Sequence, residues 1–94
     1  ETIIQENETS ESKLDWKQQK QEQAKRRKLE NQYQALEQEM EQLDTKNASI
    51  DQELQLPENA SNVAKLMELS TAKEEVENRL LEILEEMDEL EKLM

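Results

Sequence analysis

Residues 29–62 read LENQYQALEQEMEQLDTKNASIDQELQLPENASN. Within this stretch Leu29, Tyr33, Leu36, Met40, Leu43, Asn47, Ile50 and Leu54 recur at alternating spacings of four and three. That is the heptad spacing of a helix with one apolar seam, here with a single polar member, Asn47. The pattern then meets Pro57. Proline has no N–H to give a helix and disfavours the α conformation at Leu56, so the helix is expected to stop near residue 55. Asn59, Ser61 and Asn62 are each suited to cap a second helix.

The spacing resumes beyond the turn. Leu66, Leu69, Lys73, Val76, Leu80, Ile83, Met87, Leu90 and Met94 form a second seam, again with one polar member, Lys73. Two long amphipathic helices joined by a short loop imply an all-α fold, an antiparallel two-helix coiled-coil hairpin. The expected organisation is a disordered linker over 1–11, then a hairpin over 12–94 with a helix at 12–55, a turn at 56–61 and a helix at 62–93. Ser12 and Asp15 resemble a capping box at the start of the first helix.

A turn centred on Glu58 sets a specific register. Ile50 then meets Leu66, Leu36 meets Leu80, and Tyr33 meets Ile83. Asn47 falls opposite Leu69 and Lys73 opposite Leu43, in neighbouring layers. One reading is that these polar residues satisfy each other or a shared water and so penalise slipped registers. The other is that Lys73 extends its amine to solvent and Asn47 is tolerated. The same register sets Met94 against Glu22, so residues 12–21 would overhang.

Composition fits this fold and excludes several function classes. The 94 residues contain 38% charged and 2% aromatic side chains, with no Gly, Cys or His. Few large apolar groups are available to fill a globular core, whereas Glu, Lys, Leu and Gln favour helix. Without Gly there is no phosphate-cradling loop, dinucleotide fingerprint or EF-hand turn. Without Cys and His there is no zinc site of the usual kind and no imidazole base. No cofactor, metal or catalytic residue is expected in this chain. Paired acids such as Glu74/Glu75 and Glu85/Glu86 read as solvated helix faces. No apolar run approaches the roughly 20 residues that span a bilayer, so no membrane insertion is expected. No signal peptide is visible, and the missing initial Met suggests a fragment of a longer protein.

The net charge of −12 is unevenly placed. Residues 17–28, KQQKQEQAKRRK, carry six of the twelve basic residues and only one acid, Glu22. At about 100° per residue, Lys17, Lys20, Lys25, Arg27 and Lys28 fall within an arc of roughly 160°, away from the extrapolated seam. Arg26 falls on the seam and is expected to pair with Glu22 or with acids at the end of the second helix. The outward face suits a phosphate backbone, because Lys and Arg displace its counterions. Trp16, beside this face, is suited to base stacking or to packing on a neighbouring domain. The candidate nucleic-acid-binding residues are therefore Lys17, Lys20, Lys25, Arg27, Lys28 and Trp16. A solvated face neutralised by the molecule's own acids is the bland alternative. Val63, Met67 and Leu81 lie off the second seam and read as scattered surface residues or a weak second interface.

The order of parts resembles a known family. DWK at 15–17, KRRK at 25–28, LPENAS at 56–61 and KLMELSTAKEEVENRLLEILEEMDELE at 65–91 look like the C-terminal domain of ABC-F family ATPases. Ala60 and Met87 stand where members often have an aromatic and a Trp. The resemblance covers about residues 13–91. It implies a non-catalytic coiled-coil hairpin behind the second nucleotide-binding domain of a cytoplasmic ATPase. ATP and Mg would be bound by the parent protein, outside this chain. Implied partners are nucleic acid (DNA or ribosomal RNA) and the parent's own ATPase domains. The alternative is a structural or protein-interaction coiled coil that docks on those domains or self-associates as a homo-oligomer.

Overall fold

A computed structural model describes the backbone from Thr2 to Met94 and side chains from Lys13 onward. It is a helical hairpin. Helix α1 (Thr2–Gln55) is joined through a 3-10 turn (Pro57–Asn59) to helix α2 (Val63–Leu93). The backbone is helical from Thr2, where a linker over 1–11 and a helix start at Ser12 are expected, and the side chain of Ser12 lies outside the described ones. The molecule is a rod of 89 × 16 × 15 Å. That length follows from α1, because 54 residues at 1.5 Å each span about 81 Å.

The reversal is built without any residue at positive φ among those described. A chain lacking Gly cannot readily use the left-handed helix stop, and Pro57 supplies another. Leu56 is extended, with φ −66° and ψ 131°, as the residue before proline prefers. Asn59 folds back, and its Nδ2 donates to the Glu53 carbonyl at 2.8 Å. That carbonyl, at the end of α1 where the helical donors run out, also accepts from the Leu56 N–H at 3.2 Å. Asn62 is the cap of α2, its Oδ1 accepting from the Lys65 N–H at 3.1 Å. Of the three residues suited to this role, Asn62 fills it, while Asn59 serves the other helix.

Both seams face inward. On α1, Leu29, Tyr33, Leu36, Met40, Leu43, Asn47 and Leu54 are half-buried and Ile50 is buried. On α2, Leu69, Val76, Ile83 and Met87 are buried, with Ile83 fully enclosed. Met94 is the exception, 55% exposed at the open end.

The register differs from the one a turn at Glu58 predicts. Ile50 clusters with both Leu69 and Val76, the residues that flank Lys73. Lys73 Nζ donates to Asp51 Oδ1. Tyr33 Oη donates to Glu91 Oε1 at 2.7 Å. Leu29 lines one groove with Leu93 and Met94, and Leu36 lines another with Leu90. These contacts describe one alignment: Leu29 with Met94, Tyr33 with Leu90, Leu36 with Met87, Ile50 with Lys73 and Leu54 with Leu69. It lies one heptad from the expected alignment and retains the pairing of a with d positions that antiparallel coils use. The reason is burial. This alignment matches every seam residue from Leu29 to Leu54 with a seam residue of α2, one layer more than the expected alignment provides. Val63 and Met67, which lie off the seam, are 67% and 66% exposed at the start of α2.

Two further expectations are corrected by this register. Asn47 and Lys73 do not satisfy each other. Lys73 takes the carboxylate of Asp51, a charge-assisted bond stronger than one to a neutral amide. Asn47 Oδ1 is left buried without a hydrogen-bond partner. Arg26 is exposed, and among the described residues it has no ion pair with Glu22 or with the acids of α2. The last layer of α2 pairs Met94 with Leu29, and Arg26 only borders the groove that Leu93 and Met94 share with Glu22 and Lys25. The overhang of α1 accordingly includes the whole basic stretch.

Candidate nucleic-acid interface

Residues 13–28 of α1 extend past α2 and are exposed throughout. The run from Lys17 to Lys28 consists of Lys, Arg, Gln, Glu and Ala, which are strong helix formers with no Gly or Pro among them. Local propensity and continuity with the paired part of α1 hold most of this segment, with Leu93 and Met94 bordering only Glu22, Lys25 and Arg26.

Lys17, Lys20, Lys25, Arg27 and Lys28 are all exposed, and among the described residues none forms an ion pair. Three of the four cations of α2 contrast with them, Lys65 being without an ion pair among the described residues. Arg79 places Nε and Nη2 on the two oxygens of Glu39, at 3.0 and 2.8 Å. Its Nη1 meets Glu82 at 3.1 Å and Glu86 at 3.6 Å. Lys92 pairs with Asp88 at 3.3 Å, and Lys73 is held by Asp51. The titration shifts follow from these bonds. Hydrogen bonding to Asp51 raises the Lys73 amine above its usual value, and hydrogen bonding to Glu39 and Glu82 raises the Arg79 guanidinium. Hydrogen bonding from Arg79 holds the Glu39 carboxyl below its usual 4.5. The bond to the Glu91 carboxylate raises the Tyr33 phenol above 10.0. On the hairpin body these cations are engaged by carboxylates, while on the overhang the basic face is open.

Trp16 is 59% exposed. It sits one turn before Lys20, whose Nζ lies 4.6 Å from the ring centroid, within cation–π range. The ammonium therefore covers part of one indole face and places an aromatic surface beside the basic row. Leu14, 61% exposed, shares a shallow concavity with Trp16, Lys13 and Lys17. A second shallow groove is lined by Gln18, Gln21, Glu22, Lys25 and Lys28. Sequence reasoning did not single out Gln18 and Gln21. Their spacing of 18, 21, 25 and 28 was a readable signal, because it puts two neutral hydrogen-bonding amides in line with two ammonium groups on one helix face.

The overhang thus presents ammonium and guanidinium donors, two amides and one aromatic plane along one helix. Such a surface can hold a row of anionic oxygens. Among the described residues, no group of acids is placed to hold a metal ion, and no helix is long and apolar enough to cross a membrane. Comparison with protein families, with curated proteins and with solved structures finds no match to this chain.

Proposed function

We propose that this hairpin is a non-catalytic nucleic-acid-contacting domain, of the kind found at the C-terminus of ABC-F-type ATPases. The basic row from Lys17 to Lys28 would lie along a phosphate backbone. The observation that carries this reading is the clustering of unpaired cations: on the body Lys73, Arg79 and Lys92 are engaged by carboxylates and only Lys46 and Lys65 stand singly without an ion pair, whereas five outward bases free of ion pairs among the described residues lie together on the overhang. Support for the parent protein is the order of DWK, KRRK, PEN and DELE along the chain.

Binding of this kind is led by phosphate contacts and is weakly sequence-specific. Five bases on duplex DNA give a log–log salt slope of about −4.5. The acidic body confines contact to the overhang by repelling the polyanion elsewhere. Fluorescence anisotropy with duplex DNA, single-stranded DNA and structured RNA at several salt concentrations tests the proposal. Replacing Lys25, Arg27 and Lys28 by Glu should abolish binding and flatten the slope. Equal binding by this variant across the titration would sink the reading.

A second reading has its own support. Leu14 and Trp16 expose apolar surface at the end that would adjoin a parent protein, which suits docking on the ATPase domains or self-association. It predicts no nucleic-acid binding by the isolated hairpin. A joint Leu14→Ala and Trp16→Ala substitution would then weaken docking or shift the sedimentation mass, and the triple Glu variant would not.

A further inference from the structure

We infer that the hairpin has a second in-phase register, one heptad away, in which α2 slides about 10 Å along α1 and covers the basic cluster. Each seam repeats every seven residues, so a shift by one heptad again sets a positions against d positions. Met94 moves from Leu29 to Glu22, and Leu90 moves from Tyr33 to Arg26. The slip removes one apolar layer, which is why the described register prevails.

The polar contacts across the seam have counterparts seven residues earlier on α1. Lys73, held by Asp51, would meet Asp44. Glu91, held by Tyr33, would meet Arg26. The relation that joins Glu39 to Arg79 would join Lys25 to Glu86, because Lys25 and Glu39 share one heptad position, as do Arg79 and Glu86. Lys25 and Arg26 are without ion partners in the described register, and they are the residues for which the second register supplies partners. Two side chains bias the choice the other way. Tyr33 loses Glu91 on slipping, and Arg79 exchanges Glu39 for the neutral Gln32. The polar seam members do not discriminate between the two states, since Asn47 faces an apolar residue in both, Val76 in one and Leu69 in the other.

The two registers expose different surfaces. In the described one the overhang is exposed from Lys13 to Lys28, with only Leu93 and Met94 bordering Lys25 and Arg26. In the second, the acidic last turns of α2 lie along Lys25 and Arg26. The inference concerns register alone and does not rest on the nucleic-acid reading.

Disulfide trapping tests it, and the absence of native Cys leaves a clean background. Met40→Cys is combined with Ile83→Cys for the described register and with Val76→Cys for the second. A third pair, with Leu90→Cys, stands one heptad in the opposite direction. There pairing has fewer layers and requires the start of α2 to unwind. Each variant is checked for helicity while reduced, then exposed to oxidised glutathione at low protein concentration. Intramolecular closure is read by mass as loss of both thiol hydrogens. The expected result is rapid closure of 40–83, slower but complete closure of 40–76, and no closure of 40–90. Tyr33→Phe should speed the 40–76 closure and Arg26→Ala should slow it. Closure of 40–83 alone overturns the inference, as does equal closure of 40–76 and 40–90, which would indicate fraying. If Val76→Cys impairs folding, Leu36→Cys with Leu80→Cys reports the same register, with Leu36→Cys and Met94→Cys as its opposite.

Discussion

Replacing Asn47 by Leu should stabilise the hairpin, although it removes a residue from the middle of its contact surface. The amide oxygen is buried with no partner, and an unsatisfied buried polar atom costs about 1–3 kcal/mol. A leucine there would pack against Val76 in an a–d layer. Full burial of a leucine contributes about 1.5–3 kcal/mol, and at a half-buried position roughly half of that applies. Together these give a gain of about 2–4 kcal/mol. For a domain of this size each kcal/mol moves the melting midpoint by about 4–8 °C, so a rise above 10 °C is expected. Urea unfolding followed by circular dichroism at 222 nm measures it, with Asn47→Ala as the companion. Alanine removes the orphaned oxygen but leaves a gap, and the two effects should nearly cancel. Because a polar residue at an a position restrains assembly, each midpoint is repeated at lower protein concentration. A concentration-independent gain belongs to the hairpin itself. A loss of stability for Asn47→Leu, or a gain no larger than that of Asn47→Ala, would show that the amide is satisfied and that this energetic reasoning is wrong.

Further expectations concern other levels of the structure. Ile83→Ala removes the one fully enclosed side chain and should cost about 2–5 kcal/mol; a cost below that of Leu66→Ala, a half-buried site, would contradict the described core. Asn62→Ala deletes the cap of α2 and should cost about 0.5–2 kcal/mol, whereas Ser61→Ala should be nearly silent; the reverse order would reassign the cap. Glu39 has a depressed folded pKa, so its stabilising contribution is present above the usual 4.5 and is lost as pH falls through the folded value. The difference in melting midpoint between wild type and Glu39→Gln should therefore shrink on acidification, and a pH-independent difference would refute the Arg79 clamp. Tyr33 has the opposite sign. Its phenol is raised, so its contribution holds below 10 and disappears at higher pH, and Tyr33→Phe should erase that alkaline sensitivity.

Much of this molecule is legible in one dimension. The alternating spacings mark which residues turn inward, and those from Leu29 to Leu90 are half-buried or buried as that pattern predicts. Pro57 marks the reversal, because a ring without an N–H cannot continue a helix and biases the residue before it to an extended shape. The outward direction of Lys17, Lys20, Lys25, Arg27 and Lys28 follows from the helical angle alone. The sequence could not show that these residues stand at or beyond the end of α2, since that depends on where the second helix stops alongside the first.

That position is a matter of register, and register is the property a heptad repeat encodes least. A pattern of period seven looks the same to itself after a shift of seven, so spacing alone allows several alignments equally. What separates them is the number of apolar layers completed and the partners available to Lys73, Tyr33 and Arg79. Each of these joins residues far apart in the chain. The sequence by itself determined the two helices, their inward faces and the site of the turn, because those depend on neighbours within a few residues. The tertiary structure decided which layer meets which, which cations are engaged, and which part of α1 is left bare, because those depend on burial summed over the whole length of the pair.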